Sequence, residues 1–177
     1  MAYVQVMGGA LPVSLSDTVR TLLERGLVAA TAAVAPCFEA DVQCVSVASA
    51  LTWARTEHDV AVCAIGPGIV GTGTRFGHGG LAAAEAANAA LSLGGVPVIA
   101  VRASGADERE RHRGRSHHTE AVLELVRGEP VIAEEAEGWR EACEGLPLSH
   151  MGRGPDDDPE FFAAAYAAGL AARGLLG

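Results

Sequence analysis

The sequence predicts an α/β fold, a doubly wound and mostly parallel sheet with helices on both faces, in a single domain spanning residues 1–177. Three observations carry that expectation. Apolar runs of strand length recur along the chain: "YVQVM", "LVAATAAVA", "HDVAVCAIG", "VPVIAVRAS" and "PVIA". Stretches with apolar residues at helical spacing separate them. The runs are continuous, as in strands covered on both faces, where a half-exposed strand would alternate. Such alternation of element type argues for parallel pairing through crossover helices.

The elements follow in order. Tyr3–Met7 reads as a buried strand stopped by Gly8-Gly9 and Pro12. "SLSDTVRTLLERG" places Leu15, Val19, Leu22 and Leu23 at helical spacing, and Gly26 ends it. A second strand closes at Pro36, and a helix is expected from an Asp41 N-cap through Trp53. The third strand runs into "GPGIVGTGTRFGHGG", followed by an Ala-rich helix over 79–93 with Glu85 and Asn88 as its interior polar residues. Those two would bind across an interface, reach into a site, or simply face solvent. "SHHTEAVLELVRG" forms a helix capped by Ser116 or Thr119 and stopped by Gly128. "EGWREACEG" forms a short helix, and the last one follows Asp158 with Pro159 in its first turn.

Composition narrows the function classes. Hydrophobic residues make up 49% and charged residues 20%, the balance of a globular chain. A net charge of −9 argues against a nucleic-acid surface. All 13 basic residues are Arg, which excludes a Schiff-base lysine and a Walker-type lysine. Apolar stretches stop short of the ~20 residues a bilayer span needs, and the N-terminus lacks the pattern of a signal peptide. The expectation is a cytoplasmic protein with no membrane partner. Cys37, Cys44, Cys63 and Cys143 show no CxxC pairing and read as reduced thiols. Cys63 falls in a core strand, and Cys37, at a strand end, is the one thiol to watch as a nucleophile.

In an open α/β sheet, ligands gather at the carboxyl ends of the strands. Gly66, Gly68 and Gly71 have GxGxxG spacing after a strand, but seven further residues precede the helix, and the acid expected on the ribose is missing, with Arg102 nearby instead. An orthodox dinucleotide site is therefore disfavoured. The broader reading keeps Gly66, Gly68, Gly71, Thr72, Gly73 and Thr74 as an anion cradle of inward amides and hydroxyls. The competing reading is a turn that only glycine can make. "RASGADERERHRGRSHH" adds Arg102, Arg111 and Arg115 as partners for phosphate or carboxylate, partly offset by Asp107, Glu108 and Glu110. His117 and His118, at a helix start, are the acid–base candidates, with one of the two expected to act, since neighbours there should point apart. The bland alternative is a solvated, salt-bridged loop. A metal on His112, His117 and His118 has no recognised ligand spacing, so no metal is assigned and no cofactor is specified. Asp156 and Asp157 could hold an ion, whereas Asp158 is better read as a helix cap.

"GGALP", "GPGIVGTGT", the "ER-RHRG-SHHT" neighbourhood and "MGRG-DDP-FF" occur in that order. In them the chain resembles the C-terminal portion of a bacterial family of unknown function, DUF3866, from Tyr3 to about Gly169. The resemblance implies no substrate. It implies a Thr-Asp pair where this chain has Val6-Met7, a Cys-Gly-Gln segment at Val34-Ala35-Pro36, and a Gly pair at Glu39-Ala40. Losing an Asp and a Cys means either altered chemistry or binding without catalysis. The leading expectation is an enzyme on a small anionic, perhaps phosphorylated or nucleotide-like, substrate. The alternative is a non-catalytic ligand-binding or accessory subunit, and a purely structural oligomer ranks third. A homodimer through the Ala-rich helices accompanies either of the first two.

Overall fold

The computed structural model describes all 177 residues and divides them into two compact units, residues 1–95 with 125–128, and residues 96–124 with 129–177. In the first unit, β1 (Ala2–Val6), α1 (Asp17–Glu24), β2 (Ala30–Val34), β3 (Val42–Cys44), α2 (Val47–Glu57), β4 (Ala61–Ile65) and α3 (Ala82–Ser92) follow one another. The strands lie in the order β3-β2-β1-β4 and every pair is parallel. Side-chain alternation splits the core into two layers. Val4, Val6, Ala32 and Val34 pack with Ala50, Trp53 and Ala82 from α2 and α3. Tyr3 and Ala33 pack with Val13, Val19 and Leu22 on the α1 side. Helices therefore cover both faces of a parallel sheet, which is the expected α/β architecture.

The second unit holds β5 (Val98–Ala100), β6 (Ala103–Ser104), β7 (Gly114–Arg115), most of α4 (His117–Leu125), β8 (Val131–Ala133), α5 (Trp139–Cys143) and α6 (Pro159–Gly174). β5 and β8 pair in parallel, β6 and β7 antiparallel, and α6 packs against β5, β6 and β8. The apolar run expected as one strand over 96–104 is thus two short strands that belong to different sheets.

One helix start moves. The segment after Asp41 is a strand, and α2 begins only at Val47, behind Ser46. Ser46 and Ser49 satisfy each other's amides in a capping box, which fixes the start there. Asp41 is occupied elsewhere: its carboxylate takes the Thr31 amide and hydroxyl, each at 2.8 Å. Asn88 is half-buried and engaged within its own unit. Its side chain donates to the Leu125 carbonyl and accepts from the Arg127 amide, tying that segment to α3.

The order of strands reverses between β1 and β4, so the loops after them meet at the switch point of the sheet. Both loops approach as bare backbone. A Cβ on Gly9 would overlap the Gly66 carbonyl, one on Gly66 the Ala10 carbonyl, and one on Gly79 the Gly8 carbonyl. Gln5, fully buried in the central strand, stiffens this junction by donating to the carbonyls of Ala10 (3.1 Å) and Leu11 (2.9 Å). Gly73 differs: its φ is +80° and nothing lies within 4 Å of an added Cβ. Urea denaturation should separate the two kinds of glycine. Gly66→Ala or Gly79→Ala should cost about 3 kcal/mol or more through backbone overlap, and Gly73→Ala only about 1–2 kcal/mol through its left-handed φ.

Candidate functional site

Ser116 follows β7 and immediately precedes α4. Its hydroxyl accepts the His118 amide at 3.2 Å, and its carbonyl accepts the amides of Thr119 and Glu120. The first two residues of the helix are thus His117 and His118, as the sequence reading placed them. Their rings do not diverge. The centroids lie 4.4 Å apart, and each lies 4.8 Å from the ring of His112, which comes from the preceding turn. Both histidines therefore share one cluster, against the expectation that adjacent imidazoles would point apart. His112 is 2% exposed and its Nδ1 lies 2.7 Å from the Ser116 hydroxyl. Burial, reinforced by the positive charge of Arg102 and Arg109, pushes its pKa down to about 4.

Beneath the histidines lies a buried ionic network. Asp107, 3% exposed, takes the Arg109 amide and Nε on one oxygen and Nη2 groups of Arg109 and Arg102 on the other. The hydrogen bonds from Arg109 come first in holding its carboxyl well below the usual range. Arg102 also donates to Ser116 (3.1 Å) and to His150 Nε2 (3.3 Å). Because a guanidinium only donates, His150 accepts at Nε2 and carries its proton on Nδ1. The His150 ring stacks on Phe161 at 3.7 Å. Asp158 sits at the N-cap position of α6 without capping it; its carboxylate accepts instead from Ser104 (2.7 Å) and Arg153 Nε (3.1 Å). The cap expected from Asp158 is a buried ion pair.

Comparison with known proteins decides the family. The family described as "protein of unknown function (DUF3866)" matches residues 1–134. The chain belongs to the DUF3866 family. No curated protein and no solved structure matches it. The match covers the N-terminal part of the chain, so the expected likeness to a C-terminal portion is not borne out, and the "MGRG-DDP-FF" segment lies beyond the matched residues.

Within this DUF3866 chain the expected ligand residues divide. Arg102 is committed to Asp107, Ser116 and His150. Arg115 pairs with Glu120 and Glu134. Arg111 is exposed and makes no ion pair, so it alone of the three is available to an anion. In the other unit, the glycine loop closes on itself. The Thr72 amide donates to the Gly77 carbonyl (2.7 Å), the Val70 amide to Gly8, and the Thr72 hydroxyl meets Thr74 at 3.1 Å. Its tip, including Gly68, Gly71, Thr72, Gly73 and Thr74, stays exposed, whereas Gly66 is buried against the first loop.

Cys37 is 1% exposed and burial raises its thiol pKa, so it is no thiolate nucleophile at neutral pH. A cavity of about 700 Å³ in the second unit is lined by Arg115, Trp139 and the carboxylates of Glu134, Glu135, Glu137 and Glu160. Its charge does not suit an anion. No helix is long and apolar enough to cross a membrane.

Acid should expose this site in two windows. The unfolded imidazole of His112 takes a proton near pH 6.5 and the folded one only near pH 4. Between those values the unfolded state binds more protons, so stability falls with pH and levels off below. Asp107 acts lower: its contribution is present above its unfolded value of 3.8 and is lost as pH falls beneath it. Denaturation at pH 7 and pH 4.5 should show the wild type losing roughly 2 kcal/mol that His112→Asn does not lose. Asp107→Asn should cost about 3–5 kcal/mol at pH 7, because it leaves Arg102 buried beside a neutral amide.

Proposed function

We propose that this chain is an enzyme acting on a small anionic substrate, phosphorylated or nucleotide-like, with His117 or His118 transferring the proton. One observation carries the reading: two imidazoles stand together at the start of a helix, backed by a third that is held neutral. Imidazole titrates near neutrality, as general acid–base work requires. The helix start and the guanidiniums of Arg102 and Arg109 favour negative charge at that end of the unit. Exposed Arg111 supplies a free guanidinium.

A second reading is a ligand-binding subunit without catalysis. It is favoured by the burial of Cys37, which removes the one candidate nucleophile. A cytoplasmic location and a homodimer through the exposed small residues of α6, Ala165 and Gly169, belong to the same inference; the alanines of α3 at 82, 84, 86 and 87 are already buried. Light scattering that gives the mass of one chain removes the dimer.

Thermal shift against phosphate, nucleotides, acyl-CoA and simple carboxylates tests the function. A true ligand at a hundredfold excess over its Kd should raise Tm by about 5 °C or more. Arg111→Ala should weaken that shift, and His117→Ala or His118→Ala should abolish turnover while sparing it. Stabilisation with no turnover of any hit establishes the binding subunit. A flat response to every anion removes both readings.

A further inference from the structure

The hydroxyl of Ser116 has three polar neighbours, and counting its protons fixes the state of His112. Arg102 Nη1 lies at 3.1 Å, the His118 amide nitrogen at 3.2 Å, and His112 Nδ1 at 2.7 Å. A guanidinium and a backbone amide can only donate. They occupy both lone pairs of the Ser116 oxygen, so its single proton has one destination, His112 Nδ1. The opposite tautomer would aim three donors at one oxygen and leave the hydroxyl proton without an acceptor, in a residue with no solvent exposure.

We propose that Arg102, acting through the Ser116 hydroxyl, locks His112 as the neutral imidazole protonated on Nε2, and that His112 is thereby the positioning residue that sets His117 and His118 for proton transfer. The proposal rests on the acid–base reading of those two histidines. The same hydroxyl that holds His112 also holds the amide of His118, so one oxygen fixes the helix start and the ring packed against it. Burial first, and then the charges of Arg102 and Arg109, oppose a second proton on the ring; Asp107 acts the other way, and His117 and His118 are the remaining titratable groups that face it. A further consequence is that His112 is no metal ligand: its bare nitrogen is taken by the serine and the other nitrogen carries a proton. Of the trio weighed as a metal site in the sequence, His112 is thereby removed.

Long-range proton–nitrogen spectra of the full chain labelled in histidine test this without a substrate. His112 should show a protonated Nε2 and an unprotonated Nδ1 at pH 7, unchanged down to about pH 5. Ser116→Ala should give a tautomer mixture at His112 and move the midpoints of His117 and His118 by about half a unit or more. Thr119→Val, which removes a different bond to Arg102, should leave them in place. A protonated Nδ1 on wild-type His112 overturns the proposal even if Ser116→Ala does not fold, and unmoved midpoints in a folded Ser116→Ala overturn the positioning role. Intact spectra together with no anion response in the thermal assay would remove the proposed activity and leave the lock standing.

Discussion

A guanidinium withdrawn from water is tolerated only when its donors are met, and Arg102 organises the second unit around that requirement. Its side chain is answered by Asp107, Ser116 and His150. Its backbone is held as well, the amide by the Thr119 hydroxyl and the carbonyl by the Ser116 amide. The turn before α4, the start of that helix and the segment around His150 are thereby fastened to one residue. An arginine read from sequence as a partner for ligand charge is instead the post on which the histidine cluster is built.

The first unit solves a different problem with a different chemistry. Two strand-end loops converge where the strand order reverses, and they fit because side chains are missing there. Gly8, Gly9, Gly66 and Gly79 let carbonyls sit where a Cβ would be, and Gln5 supplies hydrogen bonds from within the sheet. Glycine richness therefore has two causes in one loop: close approach at its base, and a left-handed φ at Gly68 and Gly73 in its tip.

Much of this was legible in the residues. The periodicity of apolar runs gave the strands around β1, β2 and β4 and their helices, because burial on both faces leaves an unbroken hydrophobic signature. The start of α4 followed from Ser116, whose cap is local. What escaped was non-local. Asp41 looked like a helix cap because nothing nearby reveals Thr31 as its partner, ten residues back and on a neighbouring strand. Asp158 occupies the cap position, yet Ser104 and Arg153 outbid the helix for its oxygens. His150 opens the "HMGRGPDDDP" loop but is not singled out by the sequence, since its partners Arg102 and Phe161 are distant or unremarkable in sequence. Asp107 left one local clue, the carboxylate accepting the amide two residues on, which is an Asx-turn.

The closure of the glycine loop on itself has a consequence for any guest at its tip. With the Thr72 amide, the Thr72 hydroxyl and the Gly79 amide already engaged within the chain, the arch has its shape before anything arrives. Association there would spend little of its free energy on ordering the loop, and selectivity would come from fit to a ready-made contour.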